Sequence, residues 1–223
     1  AGERRGVDQE VHGQRGLVDF QQRQRVGVFG IGDRDTDADV LDVVDEHDIA
    51  GDRLLVTFAG HGTMALEILE DAPDTAAIIA AIGGGGLIAG IGAAIKSTQP
   101  RIQIVGAEPE TAAPLSLSLA SRSPKVFSAW EASFVDGAGG KSVMPRMWER
   151  MKDVVDTSIV VSLDQTAQAM RLMAEKARII AEGAGALPLA AALTREVGDG
   201  PIVAIVSGGN IDLDKFSALI ANA

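Results

Sequence analysis

The sequence contains no cysteine, which removes disulfide staples, thiolate zinc sites and a cysteine nucleophile together. It lacks a basic surplus as well: 20 Lys and Arg face 31 Asp and Glu, leaving a formal charge of −11. A nucleic-acid binder needs a basic face to meet phosphates, so DNA and RNA are not expected partners. No apolar stretch reaches the roughly 20 residues of a membrane helix. The longest candidate is glycine-rich and bounded by Asp74, Lys96 and Arg101. The opening AGERRGVDQE has no apolar core of the secretory type. Together these absences lead to the expectation of a cytoplasmic protein that crosses no membrane. A last absence is local, since every lysine lies at Lys96 or later.

What is present is ordinary for a globular chain. Its 223 residues, 46% hydrophobic with 26 glycines, suffice for one domain, or one domain and an appendage. Residues 1–58 stand apart as an anomalous charged segment, rich in Arg, Asp, Gln, Gly and Val, whose apolar residues follow neither helical nor strand periodicity. Only VGVFGIG at 26–32 reads as a strand, and the rest is expected to be disordered or loosely attached.

Ordered patterning begins near Leu54. GTMALEILED at 62–71 reads as a helix, and AIIAAI at 77–82 as a strand buried on both faces. Four glycines follow, then a small-residue helix, LIAGIGAAIKS, and a second strand, IQIVGAE at 102–108. Further on, DTSIVVSL resembles a strand and Asp164 is expected to cap a helix running to about Ala181. An alanine-rich helix runs from Gly183 to Thr194, IVAIV at 202–206 is a third buried strand, and a closing helix starts near Leu213. Strands alternating with helices predict an α/β fold: an open parallel sheet with helices on both faces.

Chemistry concentrates in two glycine loops. Gly83, Gly84, Gly85 and Gly86 separate a buried strand from a helix. Without Cβ atoms, successive backbone N–H groups can converge on one anion, and the helix N-terminus adds a positive dipole. Phosphate is the obvious guest; a tight turn is the structural alternative. Ser207-Gly208-Gly209-Asn210 repeats the arrangement after the third strand, so both loops are expected to face one crevice at the carboxyl edge of the sheet. Ser207 then either offers its hydroxyl to a ligand or caps a turn. A rival reading is dinucleotide binding: Gly84, Gly86 and Ala89 satisfy G-x-G-x-x-G/A, and Glu108 ends the next strand where a ribose-binding acid belongs. That reading leaves the Ser207 loop unexplained.

GGGGL at 83–87, GAEPE at 106–110, the Asp136-Gly137 pair, IAEGAGALPLAAAL at 180–193 and IVSGGN at 205–210 stand in one order with AGHGTMALEILE at 59–70. In this set the chain resembles the pyridoxal-phosphate enzymes of the tryptophan-synthase-β fold, in the threonine dehydratase and serine racemase group, over residues 59–223. The resemblance implies that Gly83–Gly86 and the Leu87 amide cradle the phosphate of pyridoxal 5'-phosphate, that Gly137 lines its ring, and that the Ser207 hydroxyl meets the pyridine nitrogen. It implies a small amino-acid substrate, L-threonine or L-serine, dehydrated and deaminated to a 2-oxo acid and ammonia, and a homo-oligomeric enzyme. Glu108 and the Ala112 carbonyl match part of a divalent-cation site of some members, but the acidic ligand expected two residues further on is Pro114. The family's Schiff-base lysine precedes the glycine loop in a Ser-Phe-Lys type motif, and residues 1–58 contain no lysine. A truncated or frame-shifted portion of a longer enzyme is therefore expected, unable to turn over threonine alone.

Three minor signals remain. Asp35, Asp37, Asp39 and Glu46 follow a calcium-loop spacing, but Val40 stands where the turn needs glycine. His12, His47 and His61 lack a paired nucleophile or metal-ligand spacing and are read as surface or loop residues. Met170, Leu172, Met173 and Ile179 give the 164–181 helix a face for core packing or for a dimer.

Overall fold

A computed structural model describes residues 15–20, 24–30, 49–221 and 223, with side chains from Ala59 onward. The calcium-like spacing at Asp35–Glu46, His12 and His47 lie outside the described residues. Along the chain come β1 (Arg15–Phe20), β2 (Gln24–Gly30), α1 (Ile49–Asp71), β3 (Ala77–Ala81), α2 (Gly86–Thr98), β4 (Gln103–Pro109) and α3 (Pro114–Ser121). They are followed by α4 (Pro145–Met151), β5 (Thr157–Val161), α5 (Leu163–Ala177), α6 (Gly183–Leu193), β6 (Ile202–Val206) and α7 (Leu213–Ala221).

The strands form one sheet in the order β1-β2-β6-β3-β4-β5. All neighbours are parallel except β1 and β2, which pair antiparallel. Alternation along the central strands divides the core. Ala77, Ile79, Val105, Ala107, Ile202, Ala204 and Val206 face α5, α6 and α7. Ile78, Ala80, Ile82, Ile104, Val203 and Ile205 face α1, α2 and α4. Both faces are covered, which is why β3 and β6 are unbroken apolar runs with every residue buried. Each fully buried isoleucine contributes about 1.5–3 kcal/mol. Among the described residues no helix is long and apolar enough to cross a membrane.

Three expectations need correction. β2 lies where the VGVFGIG strand was expected, but the part of the segment expected to be disordered also contributes β1, and Val26–Gly30 of β2 pairs in parallel with Ile202–Val206 of β6. The β-branched Val26 and Val28 suit a strand, but the partner is distant in sequence, so periodicity within the segment gave little sign of the pairing. His61 is not in a loop: α1 begins at Ile49, and its glycines lie within the helix. Gly62 faces α2, where a Cβ would make ordinary contact with the Gly90 carbonyl oxygen at 3.7 Å. Nor does Asp164 cap α5. Ser162 is the N-cap; its hydroxyl accepts the Gln165 amide while the Gln165 side chain accepts the Ser162 amide. This is the reciprocal S-x-x-Q pattern, and Asp164 instead meets the dipole in the first turn. The helix stops at Ala177 because Arg178 turns left-handed, with φ of 61°.

Candidate active site

Parallel strands leave one edge of the sheet together. β3 pairs with β6 in the register Ala77↔Ile202, so the loops after Ala81 and Val206 emerge side by side at the carboxyl edge. Gly83–Gly86 form the first loop and Ser207–Asn210 the second. Ser207 follows β6 directly and is half-buried, whereas Gly84, Gly137, Gly209 and Asn210 are exposed on this edge.

Backbone contacts connect the two loops. A Cβ on Gly83 would lie 2.7 Å from the Gly137 carbonyl oxygen, so these segments approach as only glycine permits. From Gly137, a Cβ would reach the Glu182 Oε1 at 3.2 Å, and one on Gly208 would reach the same oxygen at 2.6 Å. The continuous series Gly83, Gly137, Glu182, Gly208 thus links the two loops by close approaches. Gly85 provides the turn into α2, with φ of 87°, and packs so tightly that a Cβ would fall 2.7 Å from the Met151 sulfur. Gly84 differs, having nothing within 4 Å of its missing Cβ. Its side of the loop is open.

The start of α2 suits an anion. No side chain caps its N-terminus and its first turn carries no acidic residue, leaving the amides of that turn without the usual intrahelical or capping acceptors. Leu87 lies in this turn, its side chain packed against the α1/α2 core. Beyond the second loop, a cavity of about 250 Å³ is lined by Phe134, Asp136, Glu182, Asn210, Ile211, Asp212 and Lys215. Lys215 Nζ is 3.9 Å from Asp136 Oδ2. Burial, and then the neighbouring Asp136 charge, raise the Glu182 pKa above its ordinary 4.5, against the lowering effect of the Asn210 amide. Sequence reasoning missed Glu182, although it stands within the EGAGA stretch that carried the resemblance.

Glu108 is fully buried, and both its oxygens are engaged. Oε1 accepts the Leu115 amide at 2.7 Å, while Oε2 accepts the Ser116 amide at 2.7 Å and the Ser158 hydroxyl at 2.8 Å. Burial raises its pKa; these three donors oppose the rise. The carboxylate anchors the N-terminus of α3 and is closed to a ribose hydroxyl, which removes the acid on which the dinucleotide reading rests. Ala112 is buried beside it, and its amide donates to Pro109. Among the described residues no group of three His, Asp or Glu is placed to hold a metal ion.

Comparisons with known proteins identify the family. A family model described as pyridoxal-phosphate dependent enzyme matches residues 45–208. The chain belongs to this family. Its match begins upstream of residue 59, within the segment set apart above. An L-threonine ammonia-lyase of Geobacter sulfurreducens is 39% identical over 168 residues, 74% of this chain and 41% of that enzyme. A catabolic L-threonine dehydratase of Staphylococcus aureus is 39% identical over 167 residues, 73% of this chain and 48% of that enzyme. Maize serine racemase superposes with a TM-score of 0.66 at 33% identity, covering 74% of this chain and 54% of that one. A processed threonine deaminase isoform of Solanum lycopersicum superposes with a TM-score of 0.69 at 30% identity, covering 74% and 49%. The chain therefore spans about half the length of the relatives it matches.

No lysine offers the family's amine in an obvious way. Lys96 sits at the far end of α2, bonded to Asp156 Oδ2 at 2.7 Å and the Ile102 carbonyl at 2.9 Å. Lys141 lies 4.1 Å from the Trp130 ring centroid, and Lys152 pairs with Glu149 at 2.6 Å. Lys125 and Lys176 are exposed. Lys215 alone among the six lines the cavity, where it faces Asp136.

Proposed function

We propose that this chain carries the cofactor-binding lobe of a pyridoxal-phosphate-dependent ammonia-lyase acting on L-threonine or L-serine, and that the 223-residue chain alone binds the cofactor without turning over substrate. The observation that supports the reading is the series of close approaches Gly83, Gly137, Glu182, Gly208, which links the loop before α2 to the loop after β6 at the carboxyl edge of the sheet. Membership of the family and the names of the relatives support it.

In this reading the amides of Gly84 to Leu87 hold the phosphate, and glycine at 84 keeps the approach clear. Gly137 presents backbone to the ring face. Ser207 offers a neutral hydroxyl to the pyridine nitrogen, which leaves that nitrogen largely unprotonated. When bound, pyridoxal phosphate supplies the electron sink for loss of the α-proton and the β-hydroxyl. Glu108 holds α3 in place and takes no part. What the six lysines do not supply is an amine fixed at the aldehyde end and a base within about 3 Å of the α-proton.

The test adds pyridoxal phosphate, reduces with borohydride, and maps modified lysines by peptide mass while assaying 2-oxobutanoate from threonine. Reversible binding without stoichiometric labelling or product agrees with the proposal. Labelling at one lysine together with 2-oxobutanoate formation overturns the claim of incompetence. No binding at all overturns the cofactor reading.

A further inference from the structure

We propose that Trp130 is a positioning residue that fixes the Gly137 backbone, the stretch that meets the ring face in the cofactor reading above, on which this inference rests. Gly137 lies in the loop between α3 and α4, residues 122–144, in a turn with Ala138. Hydrogen bonds hold the chain two residues to either side of it. On one side the Ser133 hydroxyl oxygen accepts the Val135 amide at 3.2 Å and the Thr111 hydroxyl at 3.3 Å. The Thr111 carbonyl also accepts the Glu131 amide at 3.0 Å, which laces this side to the chain just after β4. On the other side the Trp130 indole Nε1 donates to the Gly139 carbonyl at 2.7 Å. Val135 and Ala138 are buried, so the exposed Asp136 and Gly137 stand between fixed points.

The indole bond spans nine residues, and its acceptor is the backbone of the Gly137 segment itself. A half-buried indole N–H needs such an acceptor. Trp130 belongs to neither half of the core, so its large ring is not spent on packing beneath a helix. Lys141 covers the ring instead, with Nζ 4.1 Å from the centroid, a cation–π contact that holds the indole in the orientation of the Gly139 bond. The base of the loop is closed independently. Phe127 donates its amide to the Lys141 carbonyl at 2.8 Å, and Val143 donates to the Lys125 carbonyl at 3.3 Å. Loss of the indole N–H therefore loosens the Gly137 turn without opening the loop.

The experiment compares the wild-type chain with Trp130→Phe, which keeps a ring beneath Lys141 but removes the N–H, and with Ser133→Ala, which removes the acceptor on the other side. Each is titrated with pyridoxal phosphate and with inorganic phosphate. The amide signals of Gly137 and Ala138, and amide hydrogen exchange at Phe127 and Val143, are followed in the isotope-labelled chain. In both variants the Gly137 and Ala138 signals should shift and broaden, while exchange at Phe127 and Val143 stays within about twofold of wild type. Pyridoxal phosphate should bind about fivefold more weakly, with inorganic phosphate changed less than about twofold. Unchanged Gly137 and Ala138 signals in Trp130→Phe overturn the proposal, as does an equal loss for both ligands. Faster exchange at Phe127 and Val143 overturns it too, by making Trp130 a staple for the whole loop. If the wild-type chain binds phosphate but not pyridoxal phosphate, and the Gly137 signals still change in both variants, the positioning stands and the cofactor reading falls.

Discussion

Replacing Gly84 with alanine separates ligand binding from folding in a way that replacing Gly83 cannot. A methyl on Gly83 would stand 2.7 Å from the Gly137 carbonyl oxygen, and the next atoms are backbone too, at 3.8 and 3.9 Å. Relief requires moving the glycine loop away from the Gly137 segment, a disturbance of the overpacking kind that costs about 1–3 kcal/mol. At Gly84 nothing lies within 4 Å and φ is not positive. Gly84→Ala should leave stability unchanged or raise it by about 0.4–1 kcal/mol, through the narrower unfolded ensemble. Its methyl would nevertheless occupy the open side from which a phosphate meets the amides. Loss of one charge-assisted hydrogen bond there is about 1.5–3 kcal/mol, roughly ten- to a hundredfold in affinity. The assay pairs urea unfolding with fluorescence titration of pyridoxal phosphate. A Gly84→Ala chain that is stable and binds as wild type would refute the cradle.

Glu108→Gln should destabilise the chain by about 1–3 kcal/mol in urea unfolding, because an amide cannot accept from all three donors that the carboxylate serves. Magnesium should leave the wild-type melting temperature unchanged; a saturable rise that Glu108→Gln abolishes would reinstate a cation site. Ser162→Ala should cost about 1 kcal/mol through loss of the reciprocal cap on α5, and Asp164→Ala distinctly less. For Glu182 the raised pKa fixes the sign of the pH effect: between its ordinary 4.5 and the raised value the folded chain binds the extra proton, so stability declines as pH rises through that window. Glu182→Gln should consequently gain on wild type near neutral pH, and the gain should vanish below the ordinary carboxylate range. A difference that grows toward acid pH would show the carboxylate to be held ionised.

The parts legible in the sequence were those whose cause is local. β3 and β6 are continuous apolar runs because both faces of the sheet are covered, and the four glycines between β3 and α2 announce a backbone-lined loop. Causes that act across the chain left weaker marks. The strand at β2 showed in VGVFGIG, but its pairing with β6 joins residues far apart in sequence, and β1 (RGLVDF) has too short an apolar pattern to announce itself. The start of α1 at Ile49 was hidden by Gly51, Gly60 and Gly62, which ordinarily argue against a helix interior. Ser162 and Asp164 are both credible caps; Gln165, three residues after Ser162, was the deciding signal and was overlooked. Glu108 fitted a ribose acid and a cation ligand equally well until its three donors came into view. Glu182 had no signature of its own, because its surroundings depend on where Gly137 and Gly208 meet α6.

The claim that the two loops form one pyridoxal-phosphate site is tested most directly by backbone amide chemical shifts of the isotope-labelled chain during titration with pyridoxal phosphate. The account predicts saturable shifts that map to Gly84–Leu87, Gly137 and Ser207–Asn210 with a single dissociation constant. Shifts confined to the segments around the exposed Lys125 and Lys176, or shifts at one loop alone, would contradict it.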